Sequence, residues 1–512
     1  MKRRDVFRTG GYAALLGLTE AQAGAAPAAK AGQSQDVYTR IGGQPFINLT
    51  ATYTINGGAL SRPEVKRAME EAGYWPVNLD ELMDKVSAYL APKLGAESAI
   101  VTCGASAALT HATCGVLTGT DPEKIQQLPN LTGLKNEVII ARQSRNAYDQ
   151  ALRTTGIKLV EVETPEQAER AISAKTAMLF MLGTGEVNGP LKLEHLAALK
   201  KKHNLPILVD AAAELPLQRN PYLSRGADMV AYSGGKILRG PQSSGLLLGR
   251  ADLIKAAWAN SSPHHAFGRS MKASKEETMG LVAAIDAWVA NGYTFEDDYK
   301  RWEGWLKEIA ARVAKFNGMT TELRPPRGAS PFPTLQLDWS QSNLYITAGE
   351  IGDQLLHGTP RIQSHGEGDS RAFHIRPVSM KEGDAKIVAD RLEAILRSAP
   401  TQPPPVKPVA PVADVSGAWR VALRFSVGSA EHNLTLQANG ANLAGTHRGR
   451  IAQSAVKGKI AGNQVSFRSS LRYEGQSLPY DFNGTVSADG KRMSGEVELG
   501  EYGKAAWSAE RG

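Results

Sequence analysis

From about residue 98 to 250, short apolar runs alternate with segments whose apolar positions recur at helical spacing. Ala99-Ile100-Val101-Thr102, Glu137-Val138-Ile139-Ile140, Lys158-Leu159-Val160-Glu161-Val162, Ala177-Met178-Leu179-Phe180-Met181, Met229-Val230-Ala231-Tyr232 and Gly245-Leu246-Leu247-Leu248 read as strands. Leu205-Pro206-Ile207-Leu208-Val209 is another, and Asp210 closes it. Strands alternating with helices predict a mainly parallel sheet covered by helices. Leu193 to His203 is a charged helix leading into the Asp210 strand, and residues 275–316 predict long helices linking to a smaller lobe that ends in the helix Asp384 to Arg397.

The pattern breaks at Ala399. Ala399-Pro400-Thr401-Gln402-Pro403-Pro404-Pro405-Val406-Lys407-Pro408-Val409-Ala410-Pro411 is a stiff, extended linker. Beyond it the apolar period drops to two: Trp419, Val421, Leu423 and Phe425 alternate with polar neighbours, as do Leu434 with Leu436 and Val465 with Phe467. Asn439-Gly440 and Asp489-Gly490 are strong hairpin signals. Regular short strands of this kind predict a small β-barrel or sandwich. His447, Arg448, Tyr473, Glu474, Glu501 and Tyr502 are candidates for a binding face on it, weighed against the solvated side of ordinary strands.

These shifts divide the chain into an N-terminal signal segment (1–30), an α/β body (36–398, with a large domain about 60–280 and a small lobe about 300–398), the linker (399–411) and a β-rich module (412–512). A length of 512 residues with 42% hydrophobic content supports more than one core, and a net charge of +8, part of it in the leader, does not call for a nucleic-acid partner. Met1-Lys2-Arg3-Arg4-Asp5 reads as the start of a twin-arginine leader with a short apolar core and an Ala21-Gln22-Ala23 cleavage candidate, the alternative being a basic disordered tail. That route carries folded proteins, so a cofactor made in the cytoplasm can be loaded before export to the periplasm or beyond. No later stretch reaches the roughly 18 apolar residues of a membrane span. Cys103 and Cys114, if on one helix, stand about 16 Å apart and cannot bridge, and no Cys/His cluster suggests a metal.

The chemistry concentrates at strand ends. Asp210 is a carboxylate delivered by a strand, and Lys236 follows the next strand on the turn Ser233-Gly234-Gly235-Lys236. A pyridoxal phosphate (PLP) enzyme needs this pair: the lysine forms a Schiff base with the cofactor aldehyde, and the carboxylate keeps the pyridine nitrogen protonated so that the ring accepts electrons. A phosphate cradle stands upstream, where Cys103-Gly104-Ala105-Ser106 joins a strand to the helical stretch Ala107–Ala112. Small residues there let backbone N–H groups approach a dianion at a helix start. Gly104, Ala105, Ser106, Asp210, Ala212, Ser233 and Lys236 are therefore the candidate cofactor residues.

Three segments carry a family resemblance: Val209-Asp210-Ala211-Ala212-Ala213-Glu214, Ser233-Gly234-Gly235-Lys236 with Gly240-Pro241-Gln242-Ser243-Ser244-Gly245, and Gly268-Arg269-Ser270-Met271-Lys272-Ala273-Ser274-Lys275. Over roughly residues 36–398 the chain resembles the SelA-like branch of fold-type I PLP enzymes, which holds selenocysteine synthase and the D-glucosaminate-6-phosphate ammonia-lyase group. The resemblance implies the fold-type I transferase fold, PLP, and a homodimer or higher homo-oligomer in which Gln242, Ser243 and Ser244 reach a neighbouring subunit's phosphate. It departs at Ser144, in Arg142-Gln143-Ser144-Arg145-Asn146, where this group commonly has histidine.

The expected activity is an α,β-elimination, of ammonia-lyase type, on a small amino acid or amino-sugar acid. A selenocysteine-synthase-like or aminotransferase-type transferase is the alternative within PLP chemistry, and an inactive binding scaffold is the alternative outside it. A tRNA would not meet an exported protein, which favours the small substrate. Substrate anions call for cations, and the candidates are Arg145, Arg269, Lys272, Lys275, Arg361 and Arg376. Ser233-x-x-Lys236 also matches the motif of penicillin-binding serine hydrolases, but their further Ser-Asp-Asn and Lys-Thr-Gly elements do not occur.

Overall fold

A computed structural model describes residues 36–328, 330–366, 368–403 and 409–512. The expected signal segment and the centre of the Pro-rich linker, residues 404–408, lie outside the described residues. Among the described residues, 36–46 form a unit of their own, with a 3-10 turn at Thr39–Ile41 closed by Gly42 in the left-handed region. The rest, from Ile47 on, contains the sheets.

The central sheet has seven strands in the order Ser98–Thr102, Gly245–Gly249, Met229–Ser233, Ile207–Asp210, Thr176–Leu182, Glu137–Ala141, Lys158–Val162. It is mixed: Gly245–Gly249 runs antiparallel to both of its neighbours, and all other pairs are parallel. A parallel return needs a crossover of a dozen or more residues, usually a helix. The connection from Ser233 to Gly245 contains no helix, so the chain reverses instead, and Lys236 rides on the reversal. Ser98–Thr102 therefore runs the same way as Met229–Ser233 and Ile207–Asp210. Their carboxyl ends meet on one edge, where open α/β sheets bind their ligands.

Helices cover this sheet. Ala105–Thr118 packs on Ala251–Ala259 at Gly115, where a Cβ would stand 2.7 Å from the Ala257 nitrogen. Pro63–Gly73 packs on Lys275–Ala290, which starts at a capping box between Ser274 and Glu277. Glu296–Val313 backs a three-stranded antiparallel sheet of Ala372–Ile375, Thr334–Asp338 and Thr320–Arg324, and Asp384–Ser398 packs on that helix. Large and small lobes share one continuous hydrophobic cluster, which takes in Trp302, Trp339 and Phe373.

The C-terminal module has a separate core. Eight antiparallel strands, from Gly417–Arg424 to Lys504–Arg511, form a barrel closed by pairing of the first with the last. Closure leaves no free edge. Trp419, Val421, Leu423, Leu434, Leu436, Phe467 and Trp507 fill the interior, as their period of two requires. One interior layer is polar. His432 Nδ1 lies 2.8 Å from His447 Nε2, His447 Nδ1 lies 2.6 Å from Ser469 Oγ, and the Tyr480 ring meets both imidazoles edge-on. His447 is thus fully buried inside the barrel rather than on its binding face, because its register places it opposite Leu434, an inward position. Among the described residues no helix is long and apolar enough to cross a membrane.

Candidate active site

The Lys236 turn is shaped by close approach. A Cβ on Gly234 would stand 2.1 Å from Ser244 Oγ, and one on Gly235 would stand 2.5 Å from the Gln242 Cα, so only glycine lets Pro241–Ser244 return against the turn. Gly245 continues the contact: its Cβ would fall 2.3 Å from the Gly104 carbonyl carbon. Gly104 takes φ +107, a conformation that favours glycine, and opens the 14-residue helix Ala105–Thr118 with no side-chain cap. The first N–H groups of that helix are therefore unclaimed and carry the positive end of its dipole.

These elements enclose a cavity of about 410 Å³. Gly104, Ala105, Ser106, Asp210, Ala212, Ser233, Lys236, Gln242 and Ser243 line it, together with Thr54, Cys103, Leu109 and Tyr148. Asp210 is 3% exposed, and its Oδ1 accepts the Ala212 N–H at 2.9 Å. Burial raises its pKa, opposed by that N–H and by the Lys236 charge. Burial also lowers the Lys236 pKa, with Asp210 opposing, so the amine loses its proton more readily than an ordinary lysine. The Lys236 Nζ stands 5.7 Å from the Tyr148 ring centroid. Gln242 Nε2 donates to the Thr54 carbonyl at 3.0 Å and Ser243 Oγ donates to Glu277.

None of the six cationic candidates for the substrate lines this cavity. Arg145, 6% exposed, is held by Asp149, Glu161 and Glu474. Lys275 donates to the Ala72 carbonyl and to Glu276. Arg269 and Lys272 are exposed. Arg361 Nε donates to the Leu356 carbonyl, and Arg376 Nη1 lies 2.6 Å from His365 Nε2, beside the Tyr53 ring. Ser144 is buried and its hydroxyl accepts the Leu182 N–H, so it anchors a loop to a strand end. Ser233 closes a strand instead of opening a helix, which removes the geometry of the hydrolase motif. Tyr148, on the cavity wall, carries no motif in the sequence that marks it. The Asn146 side chain accepting its N–H at 2.7 Å is the local feature that sets it.

The comparisons agree with this geometry. The Aminotransferase class-V family matches residues 88–279. D-glucosaminate-6-phosphate ammonia lyase of Salmonella typhimurium (strain 14028s / SGSC 2262) is 28% identical over 376 residues, covering 71% of this chain and 99% of that protein. A solved structure of D-glucosaminate-6-phosphate ammonia-lyase superposes with a TM-score of 0.62 at 26% identity, over 72% of this chain and 100% of that one. Over its α/β body the chain is similar to SelA-like fold-type I PLP enzymes. An L-seryl-tRNA(Sec) selenium transferase of Proteus mirabilis (strain HI4320) is 29% identical to this chain over 359 residues, covering 63% of it and 70% of the relative. A 5'-C-glycyluridine monooxygenase-decarboxylase of Streptomyces sp is 29% identical over 341 residues, or 64% and 83%.

The cofactor that this class implies is pyridoxal 5'-phosphate. The donor set fits it: unclaimed helix N–H groups and the Ser106 hydroxyl suit a phosphate, a buried carboxylate suits a ring N–H, and a lysine of depressed pKa suits an aldehyde. The seven strands and closed barrel match the expected fold, with the sheet more mixed than the apolar runs indicated.

Proposed function

We propose that this SelA-like enzyme catalyses an α,β-elimination of ammonia-lyase type on a small amino acid or amino-sugar acid. The observation that supports it is the convergence of Lys236, Asp210 and the open start of the Ala105 helix on one cavity. In this reading Gly104, Ala105 and Ser106 hold the phosphate, Asp210 holds the ring nitrogen, and Lys236 Nζ is the covalent anchor. When bound, PLP supplies an electron sink for the bond broken at the substrate α-carbon. The chain does the rest. Lys236 Nζ, freed by the substrate amine, takes the α-proton, which its lowered pKa favours. Arg376, with His365, stands outside the cavity lining but beside Tyr53, the neighbour of the lining residue Thr54, and is the cation offered to the substrate carboxylate.

The likeness to D-glucosaminate-6-phosphate ammonia lyase supports elimination, and the likeness to L-seryl-tRNA(Sec) selenium transferases keeps group transfer as the second reading. A homodimer with Gln242 and Ser243 at the shared site, and export through the twin-arginine route, belong to the same proposal. Fractionation of expressing cells tests the export. For the chemistry, purified protein loaded with PLP is expected to show a visible absorbance band that borohydride abolishes, and Lys236→Ala to lack it. Release of ammonia and a keto acid from amino-sugar acids then separates elimination from transfer. A borohydride-reducible band that persists in Lys236→Ala sinks the assignment.

A further inference from the structure

The barrel reaches the candidate site through a two-residue turn. Tyr473 pairs with Gln476, leaving Glu474 and Gly475 at the tip. Glu474 meets Arg145, and lies 4.0 Å from Arg153 Nε. Gly475 abuts the backbone of Asn146 so closely that a Cβ would stand 1.9 Å from its carbonyl oxygen. Asn146 in turn caps the Tyr148 N–H, and Tyr148 faces Lys236 across the cavity.

The order of the two tip residues matters. A tight hairpin turn needs a residue at positive φ, and glycine normally supplies it. Here the positive φ, +51, falls on Glu474, while Gly475 stays outside that region. A left-handed non-glycine residue is strained, because its Cβ crowds the following carbonyl oxygen. Exchanging the two residues would relieve the turn and drive a side chain into Asn146. The glycine is therefore placed for the contact with the α/β body, and the turn bears the strain.

Charge tells the same story. Arg145 is nearly buried, and two carboxylates of its own domain, Asp149 and Glu161, already surround it. Glu474 adds a third from the barrel. Glu501, held by Gln476 Nε2 at 3.1 Å, brings another barrel carboxylate toward Tyr148.

We propose that the barrel is a working part of the active site: its Glu474–Gly475 turn clamps residues 145–149 and so holds Tyr148 opposite Lys236. Glu474 and Gly475 act as positioning residues through Asn146 and Arg145. The proposal rests on the cavity being the PLP site, and the test keeps the two ideas apart.

Full-length wild type, Gly475→Ala, Glu474→Gln and Glu474→Asp are compared by amide hydrogen exchange without cofactor and by visible circular dichroism with PLP bound. Loosening the clamp is expected to speed exchange at residues 145–150 by roughly tenfold in Gly475→Ala and Glu474→Gln, with barrel strands exchanging as in wild type. The optical activity of bound PLP is expected to change in both, and Glu474→Asp to recover part of it. Should Gly475→Ala fail to fold, Glu474→Gln decides alone. Unchanged exchange at 145–150 overturns the clamp, and faster exchange with unaltered optical activity overturns its role in the site. Absence of a borohydride-reducible band in wild type sinks the PLP assignment and this role with it, whatever the exchange shows.

Discussion

Lys236, half-buried, and Asp210, buried, are groups of opposite charge, and each limits the other. Burial alone would discharge both, yet each partly sustains its partner's ionised form. Loading of the apoenzyme with PLP needs the neutral amine, so its rate should rise with pH. Because burial lowers the Lys236 pKa, the midpoint of that rise is expected below 10.5, the ordinary lysine value. A stopped-flow pH profile measures it, and a midpoint at or above that value would contradict the burial argument. At the other end of the site, Asp210→Asn is expected to retain PLP while losing more than about tenfold of activity, since each pKa unit withdrawn from the ring nitrogen is worth about 1.4 kcal/mol. Activity within tenfold of wild type would show that Asp210 is not the ring partner.

The glycines of the site act between elements. Gly245 belongs to one strand yet exists for the sake of the Gly104 backbone on the next. Gly245→Ala is expected to push the start of the Ala105 helix away and weaken PLP binding by at least about tenfold, with overpacking of about 1–3 kcal/mol in thermal stability. Equilibrium titration with PLP, beside a melting curve, distinguishes this from global damage. Such contacts also mark what was legible in the sequence. The seven central strands, the helix Leu193–His203 and the barrel alternation were readable because each rests on a local period. The nine proposed cofactor residues lie around one cavity because they sit at strand ends that share an edge. Three things needed the third dimension. The reversal at residues 234–244 depends on which strands pair, the approach of Tyr148 to Lys236 depends on a loop cap, and the burial of Arg145 depends on a carboxylate 329 positions away.

At the scale of the whole molecule, two cores joined by a proline-rich segment meet at a turn. Each core should fold without the other. Deleting residues 412–512 is expected to leave a soluble α/β body that still takes up PLP, with residues 145–150 exchanging as fast as in Gly475→Ala. Aggregation of the truncated chain would mean that the barrel carries part of the body's stability as well.

The histidine pair inside the barrel adds a condition to that arrangement. His432 and His447 are buried as neutral rings, His447 with its pKa lowered to about 3, so the unfolded barrel binds protons that the folded one refuses. A group of this kind contributes nothing adverse above the unfolded value of 6.5, and stability drains away as the pH falls from there towards 3. Acid is thus expected to open the barrel before the α/β body, as hydrogen exchange of the two parts across that range would show. Acid that opens the barrel is then expected to free residues 145–149 as well, and with them the hold on Tyr148.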